Sequence, residues 1–416
     1  MSNTNMPVGR RALLKAGLAL GAGQVVGAPY VVRALGDEPV KIGMVDPLTG
    51  VFSALAQSEV DGAKYAVAEI NKNGGILGRP VTLLVEDSAN DIGTGVQKTR
   101  QLIERDRVNA ILGDVNSGTA YAMSQLTYEK KVLHIVPGGH TDPITGTGCK
   151  WNVFRVCGTT SMDANAVTPE LVKRFGRKWF FVTPDYVYGH TLQEAFVKAL
   201  TKLGGTYEGD MQPFGESDFS ATLKRARAYK PNVLINNMGG QTQIECLRQF
   251  AQFGMEKEMA LGGALFEIES VRAAPPEAQI GWWDFEWWWN QPHVPEVGKF
   301  VADYRAAVKK VPSARDWLGY VSVHSVRLAA EKAKSLDSPQ LAAALEDMEL
   351  PPQVALQPGS VRYRRGDHQL MLNVFVGEVH PPKDNPDDLC TVAALVPGEQ
   401  AAGSVEATGC RMTQAG

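Results

Sequence analysis

Charge of one sign, cysteine and long apolar runs are all scarce in this 416-residue chain. Lys and Arg number 42 against 45 Asp and Glu, a formal charge of −3. The first 34 residues hold four basic residues and no acid, so without them the charge is −7. A mildly acidic chain is poorly suited to nucleic-acid phosphates, and no nucleic-acid partner is expected. Beyond the N-terminal region no segment reaches the roughly 18 uncharged apolar residues of a membrane span. Catalytic signatures are missing as well: there is no GxSxG, Walker loop or HExxH. The seven His show no metal-ligand spacing. Gly74-Gly75-Ile76-Leu77-Gly78 follows a helical pattern rather than a strand, which removes it as a dinucleotide fingerprint. The chain is therefore expected to be no enzyme and to need no metal or cofactor.

Five cysteines leave one unpaired. Cys390 and Cys410 lie in a loose Gly- and Pro-containing stretch and are the pair expected to join in an oxidising compartment, contributing roughly 3 kcal/mol. Cys149 and Cys157 flank Trp-Asn-Val-Phe-Arg-Val, which reads as a strand. Extended, it would hold them about 26 Å apart, so they pair only if the segment doubles back. Cys246 sits in a helical pattern and reads as a buried free thiol.

What is present begins with the N-terminus. Residues 9–15 read GRRALLK, an apolar Gly-rich stretch runs to about residue 28, and a small residue, Ala34, follows. A basic start, a short apolar centre and a small residue make a secretory signal, expected over 1–34. Adjacent arginines resemble the twin-arginine export class. No Cys near Ala34 offers a lipid anchor. The mature chain is expected in the periplasm, without membrane insertion.

Past the signal, apolar strand patterns alternate with helical ones. Strands are read at 40–45, 81–85, 108–112 and 132–136, with helices at about 58–73, 93–105 and 117–131 between them. After a boundary near Cys157 the pattern resumes, with strands at 179–183, 233–237 and 259–261 and helices at about 164–175, 191–203, 219–228 and 242–253. Such alternation implies α/β lobes with parallel central sheets covered on both faces, and two halves of this size imply a cleft between them. Further helices are read at about 297–310, 318–334 and 339–346, and a β-hairpin over 360–376 through Arg365-Gly366-Asp367. The last residues, 381–416, read as a surface tail.

The strings VKIGMVDPLTG, DGAKYAVAEINKNGGILGRPVTLLVED, AILGDVNSGTA and VPGGHTDP carry a resemblance. So do Tyr188-Gly189, Ser217-Asp218-Phe219-Ser220, Pro231-Asn232-Val233 and Leu247-Arg248-Gln249. In this order, over about residues 38–377, they resemble the branched-chain amino acid type of periplasmic binding protein, the type I fold of ABC-transporter solute receptors. The resemblance implies two doubly wound α/β lobes joined by a three-crossover hinge. Lobe 1 would span 38–157 plus 286–350 and lobe 2 would span 158–282 plus 355–380. It implies a monomer that closes on a small solute and delivers it to a membrane permease. A ligand sensor feeding a signalling partner is the alternative on the same fold.

In open α/β sheets the ligand sits beyond the carboxyl ends of the strands. Asp114-Val115-Asn116-Ser117-Gly118-Thr119 lies at such a place. The Ser117 hydroxyl and the N–H groups of Gly118 and Thr119 either hold a carboxylate or form a plain helix cap with Asn116. The family's carboxylate-binding serine matches Ser117. By resemblance Thr141, with Gly139 or His140, completes that site; His140 otherwise reads as a solvated loop residue. Tyr188 matches a ligand-facing tyrosine, with Tyr186 a weaker candidate, and Gln241 offers an amide. The family's ammonium-holding acid falls at Ala264, while nearby Glu267 either compensates for it or belongs to the next helix. Burying an unpaired ammonium costs several kcal/mol, so an ordinary α-amino acid is disfavoured. The expected ligand is a small carboxylate-bearing solute, an amino acid or a related aliphatic or aromatic acid or amide, with a carboxylate on an apolar or aromatic body foremost. Trp282, Trp283, Phe285, Trp287, Trp288 and Trp289 either wall that body or pack the hinge.

Overall fold

The computed structural model describes residues 38–414, so the expected export segment over 1–34 lies outside the described residues. The chain opens with β1 (Val40–Asp46), α1 (Ser53–Lys72), β2 (Val81–Asp87), α2 (Ile92–Glu104) and β3 (Ala110–Leu112). It continues through α3 (Ser117–Glu129), β4 (Leu133–Val136) and β5 (Val153–Arg155). These strands form one parallel five-stranded sheet in the order β2-β1-β3-β4-β5. β1 is almost wholly buried, as a strand covered on both faces requires.

The second sheet is built from α4 (Thr160–Phe175), β6 (Lys178–Pro184), α5 (Val187–Lys202), β7 (Thr206–Gln212), α6 (Ser220–Tyr229) and β8 (Val233–Asn236). It adds α7 (Gly240–Gln252), β9 (Ala260–Gly263), α8 (Ile268–Ala273) and β10 (Trp282–Phe285). The chain then returns to the first lobe as α9 (Pro295–Val308), α10 (Ala314–Ala333), α11 (Ser338–Leu345) and α12 (Pro352–Ala355), where α10 lies along α1. It ends with β11 (Val374–Val379), β12 (Cys390–Val396), α13 (Gly398–Ala402) and α14 (Val405–Thr408).

The second sheet has seven strands in the order β12-β11-β10-β9-β8-β6-β7. β6 to β10 run parallel, and β11 and β12 add an antiparallel pair at one edge. The other edge strand, β7, is mostly exposed and polar, and the sequence reading passed over it because it has no apolar alternation. The hairpin expected over 360–376 is reduced to isolated bridges, Tyr363 with Leu370 and Glu349 with Arg362, before β11 begins.

The C-terminal region lies largely at the surface but is ordered into a strand and two short helices. β12 completes the second sheet, and α13 packs on α4, where Asn165 Nδ2 donates to the Ala401 carbonyl. The chain then crosses back to the first lobe and is fastened there by a Cys149–Cys410 disulfide. The expected Cys390–Cys410 bond is thus replaced: Cys390 is a buried free thiol at the start of β12, and the 20 residues after it carry Cys410 to the other lobe. Trp151 N–H donates to Thr413 Oγ1 beside the bond. Cys157 and Cys246 are free and buried.

The bridged cysteines are 261 residues apart in sequence. A loop that long removes much denatured-chain entropy. Cys410→Ser is expected to lower the unfolding free energy by roughly 2–5 kcal/mol in urea titrations without reductant. Wild-type protein titrated in reductant should show the same loss.

Candidate ligand-binding cleft

Six loops at strand carboxyl ends, three from each sheet, together with the start of α10, converge on one cavity of about 30 Å³. From the first lobe come Phe52 and Leu55 at the start of α1, Val115 and Ser117 after β3, Gly138 and His140 after β4, and Arg315 in the first turn of α10. From the second come Tyr186 and Tyr188 after β6, Met238, Gly239 and Gly240 after β8, and Leu265 and Glu267 after β9. A larger groove of about 380 Å³ runs between Asp142–Thr147, α4, α5 and the C-terminal segment. Its rim is a mixture of exposed Lys198, Lys202 and Glu194, and of the parallel strands it receives only the loops after β4 and β5, both from the first sheet, so we place binding in the smaller cleft, where both sheets contribute.

The lobes touch around this cavity. Phe52 of the first lobe meets Phe214 of the second edge to face at 5.8 Å, and Phe214 meets Tyr186 at 4.9 Å. Gln241 N–H donates to the Val51 carbonyl at 3.0 Å. Gly240 makes that approach possible: its φ is +55°, and a Cβ there would lie 2.3 Å from the Val51 oxygen. Thr141 Oγ1 lies 3.1 Å from Thr191 Oγ1.

Charge enters through Arg315, which is buried. Its Nε donates to Glu267 Oε1 at 2.8 Å and its Nη1 to Glu59 Oε1 at 2.7 Å. Burial opposes the guanidinium charge, but Glu267, Glu59 and Glu286 overcome it and hold the group protonated. Burial pushes Glu59 up to about 8 and Glu267 to about 7, against the pull of Arg315 on both. Asp114 behind them is raised to about 7, also by burial. His140 is pulled down chiefly by burial, with Glu286 opposing; its Nδ1 faces the Gly138 carbonyl at 2.8 Å and its Nε2 faces Glu286 at 3.1 Å.

Several expected site residues lie elsewhere. Gly118 and Thr119 are not offered to a ligand, because the Asn116 side chain caps α3 and accepts both N–H groups. Gly139 turns inward and its carbonyl accepts from Arg155. Thr141 faces α5 rather than the cavity, and Ser117 Oγ accepts from its N–H at 3.3 Å. The Gln241 side chain is exposed and donates to Glu245. Ala264 is buried beneath the surface of the cleft, while the nearby Glu267 lines it. Ser117, His140 and Tyr188 line the cavity. None of the clustered aromatic residues of 282–289 does. Trp283 stacks on Phe266 at 4.6 Å, and Trp287 Nε1 donates to the Leu356 carbonyl, so the cluster packs the sheet and the crossings.

Two outcomes follow from this geometry. Gly240→Ala is expected to hold the loop away from Val51, giving a larger scattering radius with unchanged circular dichroism and about 1–2 kcal/mol lost to the left-handed backbone. The raised carboxyls, Glu59, Asp114 and Glu267, contribute stability at low pH that is lost as pH rises through about 7 to 8. The lowered His134 and His368, both near 4, contribute stability above the ordinary His range that is lost as pH falls toward 4. The His contributions are complete above about pH 6.5, so the melting temperature should fall between about pH 6.5 and pH 8, by roughly 2–4 °C per kcal/mol lost. Glu59→Gln should flatten the alkaline side.

A family model described as periplasmic binding protein matches residues 39–385. The chain is 31% identical to the Leu/Ile/Val-binding protein BraC3 of Rhizobium johnstonii, over 77% of this chain and 87% of that one. A periplasmic binding protein crystal structure from Burkholderia mallei superposes with a TM-score of 0.83 at 28% identity, covering 90% of this chain and 99% of that one. A branched-chain amino acid ABC transporter periplasmic ligand-binding protein from Burkholderia xenovorans gives 0.77 at 25%, covering 89% and 99%. Among the described residues no helix is long and apolar enough to cross a membrane. The chain belongs to the periplasmic binding protein family, in its branched-chain amino acid type, whose members bind solutes and are not enzymes.

Proposed function

We propose that the chain is the extracytoplasmic receptor of an ABC importer, exported by the twin-arginine route and acting as a monomer. It takes up a small carboxylate with an apolar or aromatic body and hands it to a membrane permease. The segments 38–157 plus 286–350 and 158–282 plus 355–380 then move as lobes about the crossings after β5, after β10 and before β11.

The observation that carries this reading is the composition of the cleft. Its walls are Phe52, Leu55, Val115, Met238, Leu265 and two tyrosines, and its polar groups are Ser117, His140, Arg315 and Glu267. Burial holds both tyrosines above the usual phenol range, so they remain neutral donors. Among the described residues the one acid lining the cleft, Glu267, is engaged by Arg315, so none of them offers a free acid to an ammonium. The cavity of about 30 Å³ has room for about one water, so a solute enters by parting the lobes.

Thermal-shift measurements test the reading. Aliphatic or aromatic acids at about 100 times their Kd should add ~2.7 kcal/mol of stability and raise the melting temperature, leucine, isoleucine and valine much less. Strong stabilisation by leucine with none by any acid would sink it.

A further inference from the structure

Among the described residues Arg315 is the only Lys or Arg lining the cleft. It reaches the cavity past Gly138, where a Cβ would sit 2.8 Å from Nη1 and 2.5 Å from Glu59 Oε1. Its two carboxylate partners differ in origin. Glu59 belongs to α1 on the same lobe, whereas Glu267 comes from the opposite lobe. Both Nε and Nη2 of Arg315 lie 2.8 Å from the same Glu267 oxygen.

Glu267 is placed for this contact. It stands at the N-cap of α8, yet its side chain makes no cap hydrogen bond and extends across the cleft instead. The loop that carries it bends through Leu265, a bulky residue with a left-handed φ of 54°. That bend is held by Leu265 N–H on Asp284 Oδ1 and Phe266 N–H on the Asp284 carbonyl, each at 3.3 Å. The chain thus fixes a carboxylate of its own on the cleft's single cation. An incoming anion in the same small space faces Glu267 and, behind it, Glu286 and Glu59, and only Arg315 can balance it.

Resting on the carboxylate reading above, we propose that Arg315 receives the solute's carboxylate and that Glu267 is a resident counter-ion which the solute displaces. A tethered carboxylate then sets the threshold. An acid that engages the guanidinium through both oxygens competes with it, whereas the corresponding amide does not. The displaced Glu267 is faced by Arg315 from α10, Glu59 from α1, Asp284 on β10, Glu286 after it and Glu269 on its own helix. With Arg315 engaged elsewhere it is left among acids and takes up a proton. Burial already favours its protonated form near neutral pH.

Calorimetry on the full chain tests this, using isovalerate, benzoate, 3-phenylpropionate and their primary amides in two buffers of different ionisation enthalpy at pH 7.5. Wild type should bind at least one acid, not its amide, with net proton uptake. Glu267→Gln should bind the same acid about tenfold tighter with uptake reduced, a gain that misfolding does not produce. Arg315→Lys should bind it at least about tenfold more weakly. Acid binding by Glu267→Gln that is no tighter than wild type, undiminished uptake, or an Arg315→Lys affinity equal to wild type would overturn the displacement. Failure of every acid to bind wild type would instead overturn the carboxylate reading itself.

Discussion

A guanidinium without water around it has to be surrounded by carboxylates, and at Arg315 those carboxylates come from two lobes. The Glu59–Arg315–Glu267 contact is where charge, burial and closure meet. Breaking one side of such a buried arrangement leaves an uncompensated charge, which costs about 3–5 kcal/mol. The lobes are therefore held together by a polar contact as well as by the apolar meeting of Phe52 with Phe214. The bare backbones of Gly138 and Gly240 leave space for both.

Much of the fold was legible in the chain. Buried parallel strands read as continuous apolar runs, and β1, β6 and β8 stood out on that ground. The loops that carry the cleft were found because they follow those strands. The charged floor was missed for a physical reason: its members come from α1, α10 and the loop before α8, which no local pattern links. A signal was present, since Glu59 lies on the apolar face of α1 and Arg315 opens a helix that is buried through most of its length. Of the two readings open for Gly118 and Thr119, the geometry favours the plain helix cap, because Asn116 just upstream accepts both of their N–H groups. β12 was missed because CTVAALV is mostly exposed and reads as linker composition, although it pairs along its whole length with β11.

The aromatic cluster over 282–289 illustrates how composition misleads. Six large rings within eight residues invite a stacking site, yet β10 is an interior strand, flanked by β9 and β11. Its residues are buried on both faces, as at Trp282 and Trp283. The rings that follow it brace the crossing to α9 against Phe300 and the Leu356 carbonyl. The aromatic rings that line the cleft are instead Phe52, Tyr186 and Tyr188, which are dispersed in sequence and brought together by the meeting of two sheets.

The Cys149–Cys410 bond turns most of the chain into a covalent ring, and the whole second sheet lies inside it. A backbone cut in any loop of that lobe therefore releases nothing: the molecule keeps its mass until it is reduced. A fluorophore attached just past Cys410 likewise travels with the first lobe, although the strand leading to it belongs to the second.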